Sequence, residues 1–313
     1  MENKLQNEKI TIHEQKKSMR QIRWLIFWVL VSLSIANLIF DVVFSFLPTE
    51  LRTSLNFNYA IMAITQVLAI LIPLIIYFRI SGDKSTSKRI SLRLNTISAK
   101  QSLVIIFLAF AGQFIMMALN IPMEALQQTL QISRPLSAPS TGFELFIGII
   151  VIAIIPAILE EILFRGVLFG GMERQSTIFA VMFSTFAFAL LHTNMFNFLG
   201  YIFLGLMTVI VMLRTKSIYS AILYHFANNL MALIFGFLLT RRVITSDEFI
   251  VFLFIAAAVV FVVSMFIFKL VTPNAPKSEG KNSARFLFGN IFSIPILLCI
   301  IISIVVQYFR FFA

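Results

Sequence analysis

The chain has 313 residues, 59% of them hydrophobic and 12% charged, with a mean hydropathy of +0.93. Soluble domains carry about 25% charged residues, so this composition excludes an ordinary soluble globule and indicates a polytopic membrane protein. The formal net charge of +11 is no sign of nucleic-acid binding, because the basic residues are spread over short connections, and the single Cys299 excludes a disulfide framework and a Cys-based metal site.

Residues 1–23 form a polar tail holding Lys4, Lys9, Lys16, Lys17, Arg20 and Arg23, expected to be cytosolic. The first apolar run lacks a small-residue cleavage site and reads as a retained helix. Apolar runs long enough to span follow at 24–47, 57–78, 101–121, 143–170, 176–194, 196–213, 217–239, 249–269 and 286–309. The expected fold is therefore an all-α polytopic membrane protein, with about eight or nine transmembrane helices around an intramembrane cavity. Three flanking helices occupy 24–132, a core 140–238, and two C-terminal helices 249–313. The Pro-rich stretch 133–142 separates the flanking helices from the core, and 272–285 sets off the last span. The Ser-, Lys- and Arg-rich stretch 81–100 is expected to lie against anionic lipid headgroups.

Loop charge gives the orientation. With the N-terminus inside, the inner segments hold the tail cations, Arg79 to Lys100, Arg165 and Arg174, Arg214 and Lys216, and Lys269 to Arg285. The outer side keeps only Arg52, Arg134, Arg241, Arg242 and Arg310 of the 25 basic residues. The N-terminus is thus expected in the cytosol and the residence a bacterial plasma membrane.

The fourth run contains two adjacent acids, Glu160 and Glu161, each costing about 2.5–3.5 kcal/mol at a bilayer centre. On a helix Glu161 and Arg165 are four apart and share a face, so they can pair, while Glu160 points about 100° away and lacks that partner. Phe188 precedes His192 by one turn, and His225 precedes Asn229 by one turn, so each pair shares a face. The fifth and seventh spans thus each bring a histidine. Glu160 and His192 are nearly equidistant from the turn at 170–176 and are expected at one depth. His225 lies about 12 Å in from the basic side, so the three are expected to converge in the inner half of the membrane. Asn228, Asp41, Gln66 and Gln113 rank below these as packing or cavity-lining residues, and Glu173 reads as part of a solvated turn.

In this order, EExxxR (Glu160, Glu161, Arg165), FxxxH (Phe188, His192) and HxxxN (His225, Asn229) resemble the motifs of the CAAX-protease and bacteriocin-processing family of intramembrane endopeptidases. The resemblance covers about 140–238. It implies a helical membrane protease whose cavity opens to the cytosol. Glu160 with His192 would activate a water, His225 and Asn229 would stabilise the oxyanion, and Glu161 with Arg165 would position the helix, beside Phe188. Substrates implied are membrane-associated peptides or proteins, CAAX-like or of the peptide pheromone and bacteriocin type. Glu160, His192 and His225 are also a possible Zn²⁺ ligand set, but no HExxH pair occurs, so a metal-independent glutamate mechanism is preferred. The competing expectations are a non-catalytic bacteriocin-immunity or signalling protein, and a proton-coupled transporter.

Overall fold

The computed structural model describes residues 2–81, 92–130, 138–173, 176–273 and 293–312. The elements are α1 (Glu2–Ser45), the short α2 (Thr49–Thr53), α3 (Leu55–Ser81), α4 (Ala99–Thr129), α5 (Gly142–Met172), α6 (Thr177–Leu191), α7 (Phe198–Thr215), α8 (Ile218–Thr240), α9 (Asp247–Val271) and α10 (Ile294–Phe312). The fold is all-α, as composition requires: in hydrocarbon a helix satisfies its own backbone polar groups. Among the described residues seven helices are long and apolar enough to cross a bilayer, and the apolar stretches Thr177–Leu191 and Ile294–Val306 are shorter. The N-terminal tail does not end at a break but continues into the first span as one helix.

Polar caps set the helix starts. Ser98 and Thr141 form reciprocal capping boxes with Gln101 and Glu144, and Ser176, Ser217 and Ser246 accept from backbone N–H groups of the first turn. In the centre α5 packs against α6 and α8, with α7 completing the group; α4 lies along α7 and α8, α3 along α5, α1 along α3, and α9 along α4. The outer helices turn bulk apolar side chains outward, including Phe252, Ile255, Val262 and Phe266 on α9. Polar side chains are inside: Gln113, Glu160, Glu161, Arg165, His225 and Asn228 are all buried. This inversion is what lipid as a solvent dictates.

Helix α5 is not regular. Two π-helical stretches, Ile149–Ile154 and Ile162–Phe169, flank the α-helical turns Ile155–Glu161 that carry both acids. Such widened turns cluster at functional sites because they re-aim side chains. Pro156 contributes to the irregularity, having no N–H to return to Ile152. The freed carbonyl accepts instead from Asn229 Nδ2 at 2.9 Å.

On the basic side, residues 92–98 are not simply a headgroup-facing loop. Leu94 bridges Ser217, Asn95 Nδ2 donates to Lys216 O at 2.7 Å, and Ile218 N donates to Arg93 O at 3.0 Å. Arg93 also pairs with Glu173 at 2.5 Å and lies over the Phe169 ring, so Glu173 anchors this clasp rather than a solvated turn. Residues 82–91, the first half of the 133–142 stretch and nearly all of the 272–285 linker lie outside the described residues.

Candidate active site

The two adjacent acids of α5 face different surroundings. Glu161 ion-pairs with Arg165 (Oε2 to Nε, 3.0 Å), as their four-residue spacing predicts, and its Oε1 accepts from His225 Nδ1 at 2.9 Å. Arg165 continues the network: Nη2 donates to Gly205 O at 2.9 Å and to Thr208 Oγ1, and the guanidinium lies 4.7 Å from the Phe188 ring centroid. Gly205 permits this approach, since a Cβ there would stand 3.3 Å from Phe188 and Thr185 side-chain atoms. Glu161, Arg165 and His225 are essentially without solvent-exposed surface.

Glu160 projects into a cavity of about 490 Å³ lined from α1, α3, α4, α5, α6, α7 and α8. It is not without a partner, as the spacing argument expects: Gln66 Nε2 on α3 donates to its Oε1 at 2.6 Å. The other oxygen, Oε2, is buried with no hydrogen-bond partner in the protein, and stands 3.8 Å from His192 Nε2. His192 caps the end of α6 rather than lying within it, and its ring is fixed on three sides. Nδ1 bonds Phe188 O at 2.9 Å, the Phe188 ring is 4.8 Å away, and the Tyr201 ring stacks at 3.8 Å. Because a carbonyl only accepts, Nδ1 carries the proton and Nε2 presents its lone pair towards Glu160.

The structure thus brings Glu160 and His192 together, and it places His225 apart. His225 does not line the cavity; its ring meets the Phe188 ring edge-on, with centroids 5.5 Å apart. Asn229 does line the cavity, with one amide hydrogen committed to Ile152 O. Asn228, ranked lower from sequence, lines it too and donates to Gln113 Oε1 at 2.8 Å. The side chain of Asp41 lies outside the described residues. Gln66 and Tyr201 are the contributors that sequence reasoning underrated. A Gln in an apolar span was their one available signal, and Tyr201 had none.

The possible Zn²⁺ set Glu160, His192 and His225 is not assembled. Among the described residues no three His, Cys, Asp or Glu side chains are grouped to hold a metal ion, since His225 is engaged with Glu161 beside Phe188. The lining straddles the middle of the bundle: Glu160 lies nearer the Met172 end of α5 than the Gly142 end, while His192 stands at the end of the short α6 remote from Ser176.

With this geometry in view, comparison with known proteins is informative. Residues 142–231 match the family model described as type II CAAX prenyl endopeptidase Rce1-like. This segment is therefore similar to the type II CAAX prenyl endopeptidase family. It contains every residue of the three motifs, whereas Gln66 and the α4 wall of the cavity lie outside it. A Bacillus subtilis (strain 168) protein named "Putative membrane peptidase YdiL" is 35% identical over 82 residues, which is 26% of this chain and 34% of that relative. The chain therefore aligns with about a third of that relative's length. No solved structure matches the chain significantly. The matched segment lies within an all-α polytopic chain whose remaining helices contribute to the walls of the cavity.

Proposed function

We propose that the chain is an intramembrane endopeptidase of a bacterial plasma membrane, in which Glu160 and His192 activate a water for attack on a peptide carbonyl. The observation that carries this reading is the Glu160–His192 pair: a carboxylate oxygen without a hydrogen bond facing a histidine lone pair at 3.8 Å in the cavity. That separation is too long for a direct hydrogen bond and suits two groups that share a water. Glu160 takes the proton as water oxygen bonds to the carbonyl carbon, giving a tetrahedral oxyanion. The C–N bond then breaks, and the proton passes to the leaving amine, so that peptide and water become acid and amine. Asn229, with its second amide hydrogen on the cavity side of α8, is the proposed oxyanion donor. His225 acts as a positioning residue that holds Glu161, and through it α5, in register. The available donors offer a metal two protein ligands rather than three, and no step is assigned to one.

The test is cleavage in proteoliposomes of lipidated and plain membrane-associated peptides, with and without a chelator. Wild type is expected to cleave in both lanes, and Glu160→Gln and His192→Ala to be inactive while retaining the wild-type melting temperature. Loss of activity with chelator would overturn the metal-independent step. Folded wild type that cleaves nothing would overturn the proteolytic reading.

A further inference from the structure

The cavity has a direction. On α4 its lining runs from Gln113 to Glu124, in the half ending at Thr129; on α3 it runs from Met62 to Ile70, and on α5 from Ile152 to Glu160, its deepest point towards the Met172 end. Helix α6 contributes only its last residue, Leu191, and the turn beyond it. With 15 residues α6 rises about 22 Å, short of the roughly 30 Å hydrocarbon core, whereas α4 with 31 rises about 46 Å. The α6 end therefore floors a bowl walled by longer neighbours. Burial follows the same axis: Asn37, Glu124 and Asn197 are partly exposed, Asn228 and Gln113 are buried, and Glu161 and Arg165 beyond them are sealed. The Leu94–Ser217 clasp closes the far end.

Charge identifies the two ends. Among the described residues, the helix ends near the cavity carry Glu50, Glu124, Glu144, Asp247 and Glu248 against Arg52, Arg241 and Arg242. The opposite ends carry Arg79, Arg93, Lys100, Arg214, Lys216 and Lys269 against Glu173. Lys/Arg-rich connections stay in the cytosol, so the mouth of the cavity lies on the other side. Among the described lining residues there is no Lys or Arg, and hence no cation to hold a substrate's free terminal carboxylate.

We infer that this site takes its substrate from the non-cytosolic side, so that the segment cut is an exported loop or juxtamembrane stretch rather than a cytosolic C-terminus. The substrate class rests on the proteolytic reading above; the direction of the cavity does not.

Two measurements separate them. In a Cys299→Ser background, Asn37→Cys at the cavity rim, Arg241→Cys at the same end and Lys100→Cys at the basic end are labelled with a membrane-impermeant maleimide in intact cells. Asn37→Cys and Arg241→Cys are expected to react at least about tenfold faster than Lys100→Cys, which should need permeabilisation; the reverse order overturns the inference. Arg241→Cys reports the orientation even if the rim variant folds poorly. Single-span reporters are then co-expressed with the cleavable segment on either side. Glu160-dependent cutting of the exported reporter alone supports the assignment, and cutting of the cytosolic one alone overturns it. If neither is cut while the labelling order holds, the substrate assignment falls together with the proteolytic reading and the direction of the cavity stands.

Discussion

Glu161 and His225 meet at 2.9 Å, sealed from solvent beside a buried guanidinium, whereas Glu160 and the partly exposed His192 stand 3.8 Å apart at a cavity. The two acids are neighbours in sequence, yet Glu161 has one oxygen on His225 and the other in the Arg165 ion pair, whereas Glu160 Oε2 has His192 at 3.8 Å. A buried charge is tolerable only when paired and hydrogen-bonded. The Glu161 cluster is charge-paired within the protein, although Glu161 Oε2 and Arg165 Nε and Nη1 make no hydrogen bond, and the Glu160 pair faces the cavity. Identical side chains thus divide into scaffold and chemistry by the number of partners the fold supplies.

The sharpest way to break this contrast is to mutate each acid in turn. Glu160→Gln should lower kcat by about 10²–10⁴-fold, the range of general acid–base catalysis, with the melting temperature unchanged. Arg165→Ala should do the opposite. Removing one member of a buried ion pair costs roughly 3–5 kcal/mol, so thermal unfolding in detergent should shift down sharply and activity should fall in proportion to the folded fraction. If Arg165→Ala kept its melting temperature and lost turnover, the division would be wrong.

A smaller effect tests whether the cavity acid depends on helices outside the matched segment. Gln66 donates to Glu160 Oε1 at 2.6 Å, and a hydrogen bond to a charged group is worth about 1.5–3 kcal/mol. Gln66→Leu should therefore reduce kcat roughly 10- to 100-fold, with KM nearly constant. A change confined to KM would make Gln66 a substrate contact instead of a positioning residue.

Much of this was legible in the sequence, for identifiable reasons. Spans are readable because lipid demands long apolar helices, and the Glu161–Arg165 pair because α-helical periodicity is local. Less legible was anything set by non-local packing. Nothing in the spacing HxxxN tells that His225 meets Phe188 edge-on, because Asn229 four residues on reaches the freed carbonyl of Ile152. Sequence ordering put His192 at the right level relative to Glu160, because both were counted from the turn that joins their helices. Gln66 pairs with a residue 94 positions away, a relation that no window along the chain contains.

The smallest expected effect concerns how His192 is held. Its ring stacks on Tyr201 at 3.8 Å and tilts against Phe188, while Nδ1–H anchors to Phe188 O. Aromatic contacts of this kind are worth about 0.5–1.5 kcal/mol beyond the area they bury. Tyr201→Phe preserves the stacked face and should leave kcat within about twofold. Tyr201→Leu keeps volume but removes the face, and should lower kcat about three- to tenfold, with thermal stability little changed. Equal losses in both variants would shift the role from the ring to the Tyr201 hydroxyl, making it a polar contributor to the cavity. A loss in Tyr201→Leu alone means that the loose pair works only while its imidazole is kept from turning.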